Sequence, residues 1–141
     1  MTVNQISIFL ENRYGKLNEI LGLLADEGIR IIATTLADTS EFGIMRMIVT
    51  DPAKAYEILS RNNVTAHQTE VVAVVVPYEA GAFKRIIALF TDAGLNIEYM
   101  YGFSFREKSV LIVRTDIAAK AREVMKENRL ECLGGNDLAN L

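Results

Sequence analysis

The sequence predicts an α+β fold made of two tandem copies of one β-α-β-β-α-β unit. Residues 10–31 and 76–97 match at a constant offset of 66, which pairs Gly15 with Gly81 and Gly28 with Gly94. In both copies, short β-branched runs alternate with stretches whose apolar residues recur at helical spacing. A repeat of this length indicates one packing unit per copy. We therefore predict two domains, residues 1–69 and residues 70–141.

The first copy contains six predicted elements. Its apolar, β-branched runs predict strands at Val3–Leu10, Ile29–Asp38, Gly43–Thr50 and about Val64–Glu70. Leu17, Ile20, Leu21 and Leu24 recur at helical spacing and predict a helix that ends before Gly28. The pair Asp51-Pro52 predicts the start of a second helix, with Asp as N-cap and Pro in the first turn. Residues 39–43 are predicted to connect the second and third strands as a hairpin.

The second copy repeats this order. Strands are predicted at Val71–Val76, Leu95–Ser104, Ser109–Thr115 and Leu130–Leu133, and Phe83, Ile86, Ile87 and Phe90 mark the helix after Gly81. After one deleted residue, the match resumes at an offset of 65, which pairs Thr50-Asp51 with Thr115-Asp116. This register predicts Asp116 as the N-cap of the last helix. Residues 134–137 are predicted to be a loop.

This element order determines the expected architecture. Right-handed crossovers place both helices of a unit on one face of its antiparallel sheet. The prediction is thus two tandem ferredoxin-like βαββαβ units with antiparallel sheets. Half of the 141 residues are hydrophobic, which indicates that a unit is covered on more than one face, by its sister or by another chain. We expect a homo-oligomer, most simply a dimer.

Composition excludes several classes of partner. The 15 basic and 18 acidic side chains give a net charge of −3, so the chain lacks the basic surface that a nucleic-acid partner requires. The longest apolar run, Val71–Val76, is far too short to cross a membrane. The first residues have no positively charged leader, and one cysteine permits no internal disulfide. We therefore expect a cytoplasmic protein that binds neither nucleic acid nor membrane.

Residues 12–17 form the first candidate site, because they join a strand to a helix through Gly15. A helix N-terminus presents unpaired N–H groups and partial positive charge, and a glycine lets a ligand approach the backbone closely. The Asn12 side chain both donates and accepts hydrogen bonds. Such a group suits a small zwitterion, with amides for its carboxylate and a carbonyl for its ammonium. A plain glycine turn is the alternative interpretation.

The segment from Glu11 to Leu17, the amphipathic helix and Gly28 closely resemble the ACT domain, a regulatory amino-acid-binding family of the same element order. The family motif has a polar residue two positions before a Pro-Gly pair, then one residue and a leucine. Asn12, Gly15 and Leu17 match, and Tyr14 replaces the proline. The second copy keeps Gly81 but has Ala80 for the proline and Tyr78 for Asn12. The resemblance covers residues 1–133.

The resemblance implies that an effector lies between the strand-helix loop of one unit and the second strand of its neighbour. Transferred position by position, it assigns one site to Asn12, Tyr14, Gly15, Lys16 and Leu17, opposite Asn96, Ile97, Glu98 or Tyr99. A second, weaker site consists of Tyr78, Glu79, Ala80, Gly81 and Ala82, with Arg30, Ile31 and Ile32. The missing asparagine weakens this second site, although Glu79 is a possible partner for the ammonium group.

No set of residues indicates catalysis, a cofactor or a metal. His67 lies in a predicted strand with no second ligand at metal-binding spacing, and Cys132 has no base near it in sequence. We therefore expect a regulatory protein that is not an enzyme. It would bind an amino acid between its domains and act in trans on a metabolic enzyme. The alternatives are a ligand-free assembly subunit and, more remotely, an enzyme on the ferredoxin-like scaffold.

Overall fold

The computed structural model describes residues 2–38 and 41–141, so Thr39 and Ser40 of the predicted hairpin connection lie outside the described residues. The described chain has seven strands and five helices, which follow one another as β1(Val3–Glu11), α1(Lys16–Asp26), β2(Ile31–Asp38), β3(Phe42–Val49), α2(Pro52–Arg61), β4(Ala66–Pro77), α3(Ala82–Asp92), β5(Ile97–Phe105), β6(Lys108–Thr115), α4(Ala118–Glu127), β7(Cys132–Leu133) and α5(Gly135–Ala139).

The chain packs as two compact units. The N-terminal unit comprises Asn4–Thr69 with Leu138–Leu141, and the C-terminal unit comprises Glu70–Asp137 with Thr2 and Val3. The change from one unit to the other falls inside β4, which contains both the fourth strand predicted for the first copy and the first strand predicted for the second. Residues 138–141 belong to the N-terminal unit, so the tail does not stay with the copy that precedes it in sequence.

In the N-terminal unit, β3 lies between β1 and β2 and pairs with both in antiparallel orientation. Alternate residues of β1 and β3, among them Ile6, Ile8, Met45 and Met47, are buried in one cluster with the apolar residues of α1 and α2. Because strand side chains alternate between faces, both helices cover the same face of the sheet. The predicted α+β, ferredoxin-like architecture is confirmed in this unit.

The C-terminal unit repeats the arrangement. Strand β6 pairs with β4 and β5, and β7 pairs with β4, all in antiparallel orientation. Val74, Leu111 and Val113 are buried in a cluster with Phe90 of α3 and Val124 of α4. Phe90 is the largest side chain that is completely buried in the described chain. One helix-covered apolar core therefore stabilises each unit.

The repeat keeps its offset of 66 after the hairpin, and the predicted shift to 65 is wrong. Leu10 pairs with Gly43 in the first copy, and Val76 pairs with Ser109 in the second. Val76 follows Leu10 by 66 residues and Ser109 follows Gly43 by 66 residues, so the offset is the same on both strands. Beyond the third strand, the side-chain amide of Asn62 donates to the Ile58 carbonyl, and that of Asn128 donates to the Val124 carbonyl, each at 2.8 Å. The Thr-Asp pair that matched at 65 does not mark equivalent positions.

The corrected register explains the start of α4. Asp51 caps α2 as predicted, because its Oδ1 accepts from the Lys54 N–H at 3.1 Å. The predicted cap Asp116 is wrong: the N-cap of α4 is Ile117, whose side chain makes no capping hydrogen bond. At an offset of 66, Asp116 is the counterpart of Thr50 and Ile117 is the counterpart of Asp51.

The C-terminal tail also differs from the prediction. Residues 134–137 were expected to form a loop, but Gly135–Ala139 form the short helix α5. The Gly134 N–H donates to Asp137 Oδ2 at 2.8 Å, which satisfies a donor before the first turn. Leu138 is almost fully buried, and the Ala139 carbonyl accepts from Arg30 Nη2 at 3.0 Å. The tail thus packs in the N-terminal unit.

Candidate functional site

The two predicted binding loops share one backbone geometry. We call residues 12–15 the first glycine loop and residues 78–81 the second. Gly15 and Gly81 are the N-caps of α1 and α3, with left-handed φ angles of 81° and 85°. This conformation costs a residue with a Cβ about 1–2 kcal/mol, whereas glycine adopts it freely. The geometry explains why both copies place a glycine here.

Three hydrogen bonds recur in both loops at an offset of 66. Arg13 donates to the Glu11 carbonyl at 2.8 Å, and Glu79 donates to the Pro77 carbonyl at 2.9 Å. The Lys16 N–H donates to the Arg13 carbonyl at 3.1 Å, and the Ala82 N–H donates to the Glu79 carbonyl at 3.3 Å. The Glu19 N–H donates to the Gly15 carbonyl at 3.0 Å, and the Arg85 N–H donates to the Gly81 carbonyl at 3.1 Å. The loops are therefore two copies of one turn.

Each turn leaves backbone donors available. Neither Gly15 nor Gly81 contributes a side-chain cap, and the N–H groups of Leu17 and Asn18 have no acceptor within the described part of the chain. The same holds, among described residues, for Phe83 and Lys84 in α3. These donors lie at the positive end of a helix dipole, an arrangement that favours a carboxylate.

The second glycine loop lines an open cavity with a volume of about 390 Å³. Pro77, Tyr78, Ala80 and Phe83 supply apolar surface, and Ser109 reaches the site because β6 is the neighbour of β4. Glu79 forms an ion pair with Arg85. A site with apolar walls, a few polar groups and exposed backbone donors has the general character of a small-ligand site.

The first glycine loop is more exposed. Tyr14 projects fully into solvent, with a relative exposure of 104%, whereas Tyr78 of the second loop is 77% exposed. The Asn12 N–H donates to the Glu41 carbonyl at 2.9 Å, which ties the loop to the start of β3. Lys16 lies 3.7 Å from Glu19 and Leu17 packs against the core of the N-terminal unit, so Leu17 has a structural role as well.

The residues predicted to oppose these loops lie where the second strands of the two units begin. The Arg30 N–H donates to Thr50 Oγ1 at 3.1 Å, and the Asn96 N–H donates to Asp116 Oδ1 at 3.0 Å. Ile31, Ile32, Ile97 and Tyr99 are half-buried, and Glu98 lies 3.3 Å from Arg114. In the N-terminal unit, Glu11 pairs with Phe42 at the start of β3, whereas Ile31 pairs with Val49 at the end of β3. The first glycine loop and the start of β2 therefore lie at opposite ends of the sheet. A single unit does not bring them together.

The remaining polar groups do not form a reactive cluster in the described part of the chain. No group of three His, Cys, Asp or Glu side chains within it is placed to hold a metal ion. Burial raises the pKa of the Cys132 thiol, whose Sγ lies 3.3 Å from the Leu130 carbonyl oxygen. In addition, none of the described helices is both long and apolar enough to span a membrane.

Comparison with known proteins identifies the family. The family model described as "ACT domain pair" matches residues 1–141. The chain belongs to the ACT domain pair family. This family is regulatory rather than catalytic. The resemblance to the ACT domain that Asn12, Gly15 and Leu17 indicate is thus confirmed. No curated protein matches the chain.

Solved structures agree with this assignment. The Bacteroides thetaiotaomicron protein BT0572 is 38% identical, with a TM-score of 0.95 over 100% of this chain and 98% of that one. The ligand-free regulatory subunit of aspartate kinase from Thermus thermophilus is 17% identical, with a TM-score of 0.66 over 89% of this chain and 90% of that one. The Thermus flavus regulatory subunit is 18% identical, with a TM-score of 0.60 over 88% and 90%. At these lower identities the ACT likeness concerns the fold alone.

Proposed function

We propose that this ACT domain pair senses an amino acid and acts in trans on a metabolic enzyme. The observation that carries the proposal is the left-handed glycine at the start of α1 and α3, followed by backbone N–H groups that have no acceptor among the described residues. The regulatory character of the ACT pair family supports the same function. The concave surface at Gly81 adds a place for the effector side chain.

The proposed binding residues remain those of the sequence prediction. The first set is Asn12, Tyr14, Gly15, Lys16 and Leu17, with Asn96, Ile97, Glu98 and Tyr99. The second set is Tyr78, Glu79, Ala80, Gly81 and Ala82, with Arg30, Ile31 and Ile32. The concavity at Tyr78 and Phe83 now supports the second set more strongly than the missing asparagine had suggested.

A thermal-shift screen with the common amino acids tests the proposal. A ligand at 100 times its dissociation constant stabilises the folded protein by about 2.7 kcal/mol, which raises the melting temperature of a protein of this size by several degrees. If none of the amino acids changes the melting temperature, the sensing function is wrong.

Two pairs of glycine variants locate the site. Gly15 and Gly28 both have positive φ, and a Cβ added to either meets nothing within 4 Å. Gly15→Ala and Gly28→Ala should therefore lower stability by similar amounts, about 1–2 kcal/mol. If the effector binds at the first glycine loop, only Gly15→Ala weakens the ligand-dependent shift.

The second loop has an equally well matched pair. A Cβ at Gly81 would lie 3.6 Å from Arg85, and one at Gly94 would lie 3.7 Å from Lys120. Gly81→Ala should weaken the ligand response and Gly94→Ala should not. If Gly28→Ala and Gly94→Ala reduce the response as much as their partners, lost stability explains the result and the assignment of the loops is wrong.

A ligand-free assembly subunit is the second candidate, and one surface feature favours it. Phe9 and Phe42 contact each other with ring centroids 5.3 Å apart, although their side chains are 59% and 40% exposed. Aromatic side chains are enriched at protein-protein interfaces. Light scattering would support this candidate if Phe9→Ser lowered the oligomeric mass while no amino acid altered the melting temperature.

A further inference from the structure

A groove on the C-terminal unit lies apart from the second glycine loop and has a different chemistry. We call it the α4 groove; its volume is about 560 Å³, within the range of small-molecule sites. Its floor is apolar and sulfur-containing, because buried Met125 lies beside half-buried Leu130 and Cys132. The distance from Cys132 Sγ to Met125 Sδ is 3.4 Å.

Three cations line this floor, and one carboxylate accompanies them. Arg122, Lys126 and Arg129 all contribute to the groove, together with Glu123. Arg122 forms an ion pair with Glu70, whereas Lys126 and Arg129 form no ion pair with any described residue. The chain as a whole carries a net charge of −3, so this surface is basic against the overall charge of the protein.

The internal repeat provides a comparison for these residues. At an offset of 66, Arg122, Lys126 and Arg129 correspond to Tyr56, Ser60 and Asn63, while Glu123 corresponds to Glu57. Helices α2 and α4 have the same length and end in the same hydrogen bonds, from Val64 to Leu59 and from Leu130 to Met125. The fold therefore forms without the three cations, which are specific to the second copy.

Arg129 occupies its position against a conformational preference. Its φ is 52°, in the left-handed region, where the corresponding Asn63 has φ 59°. Asparagine tolerates this conformation better than arginine, which bears the usual cost of a Cβ there. A residue held in an unfavourable backbone conformation at the edge of a groove is consistent with a functional role for its side chain.

We propose that the α4 groove binds a phosphate-bearing organic anion, with the phosphate at Lys126 and Arg129 and the organic portion on Met125, Leu130 and Cys132. A singly charged carboxylate would be matched by one cation, whereas a phosphate ester offers the charge and acceptor oxygens for two or three. The apolar floor supplies surface for a base or carbon chain. This site is independent of the amino-acid sensing proposed for the glycine loops.

Cys132 provides a direct readout, because it is the one cysteine of the chain and lies on the groove floor. Reaction of the full-length protein with the uncharged reagent 4,4′-dithiodipyridine would be followed with ADP, pyrophosphate or adenosine present. We expect ADP to slow the reaction and pyrophosphate to compete with ADP, while adenosine has no effect. No protection by ADP, or equal protection by adenosine, would overturn the proposal.

The first copy supplies the variant for this experiment. Lys126→Ser with Arg129→Asn installs the residues found at Ser60 and Asn63, and should retain the fold. The ADP concentration for half-protection should rise by about tenfold or more, the usual cost of losing a charge-assisted contact. Arg61→Ser is the matched control, since Arg61 lies in the last turn of α2 as Lys126 does in α4.

The outcomes separate this site from the glycine loops. If the double variant binds ADP as well as the unmodified protein does, or if Arg61→Ser weakens protection equally, the groove is not the binding site. Amino-acid-dependent shifts of the melting temperature should be the same in the double variant. Their loss together with ADP protection would place both effects in one site and contradict the proposal.

Discussion

The Asp116 carboxylate accepts a hydrogen bond from the Asn96 N–H at 3.0 Å, while Asn96 accepts in return from the Asp116 N–H at 3.1 Å. Thr50 and Arg30 form the same reciprocal pair in the first copy, at 3.1 and 3.0 Å. Asp116 therefore joins β6 to the start of β5 and is not available to cap α4. The N-cap of α4 is instead Ile117, which is 50% exposed and makes no side-chain capping hydrogen bond.

This absence predicts a stabilising substitution. Ile117→Asp would place at the N-cap of α4 the residue that Asp51 provides in α2, and would add a carboxylate at the positive end of the helix. We expect the free energy of unfolding to rise by about 1 kcal/mol, measured by urea denaturation at neutral pH. The gain should shrink at a pH that protonates the aspartate, because the interaction of its charge with the helix dipole is then lost. No gain for Ile117→Asp at neutral pH would contradict the capping explanation.

A buried hydroxyl predicts a second stabilising change. Thr115 Oγ1 has no hydrogen-bond partner among the described residues, and Thr115 is only 3% exposed. The corresponding Val49 is equally buried, in the core of the N-terminal unit. Thr115→Val should therefore raise the free energy of unfolding by about 1–2 kcal/mol, because it removes an unsatisfied polar group without changing the volume much. The converse Val49→Thr should lower it; two changes of the same sign would refute this account.

Two glycines outside the loops should respond to alanine in opposite directions. Gly22 lies within α1, its Cβ would meet nothing within 4 Å, and its counterpart in the second copy is Ala88. Gly22→Ala should stabilise the protein by about 1 kcal/mol. A Cβ at Gly102 would lie 2.9 Å from the Val110 carbonyl oxygen, so Gly102→Ala should destabilise it by about 1–3 kcal/mol. Thermal denaturation of both variants would check the difference in sign.

The half-buried thiol of Cys132 predicts a pH dependence. Burial raises the pKa of the Cys132 thiol above its ordinary value. The thiolate is the reactive form, so the alkylation rate should reach its midpoint at higher pH in the folded protein than in urea. Since the folded state favours the protonated thiol, its contribution to stability is complete below the ordinary pKa and is lost as pH rises above it. An equal or lower midpoint in the folded protein would contradict this prediction.

The fold was largely predictable because backbone requirements leave marks in the sequence. Gly15, Gly28, Gly81 and Gly94 all have left-handed φ angles, which few other residues adopt at low cost. Their spacing gave the helix boundaries of both copies. The register after the hairpin was not predictable in this way, because Thr115-Asp116 resembles Thr50-Asp51 in composition while the hydrogen bonds of Asp116 match those of Thr50.

The candidate sites were less predictable because they depend on neighbours that are distant in sequence. Ser109 joins Tyr78 and Phe83 at one concavity only through the pairing of β4 with β6. The missing asparagine at Tyr78 is a local signal, and taken alone it predicts a weaker site at that loop. That the cations of the α4 groove are specific to the second copy is visible only at the correct offset of 66. An offset of 65 pairs Lys126 with Arg61 and hides this difference between the copies.

The identical hydrogen bonds of the two glycine loops have an evolutionary consequence. The three recurring hydrogen bonds join main-chain atoms, and the same turn forms with Asn12-Arg13-Tyr14 in one copy and Tyr78-Glu79-Ala80 in the other. Side chains can therefore diverge here after gene duplication while the turn is kept. Under the proposed function, one chain would carry two receptors that selection can adjust separately. A cell that needs to compare the levels of two metabolites would require no additional protein to do so.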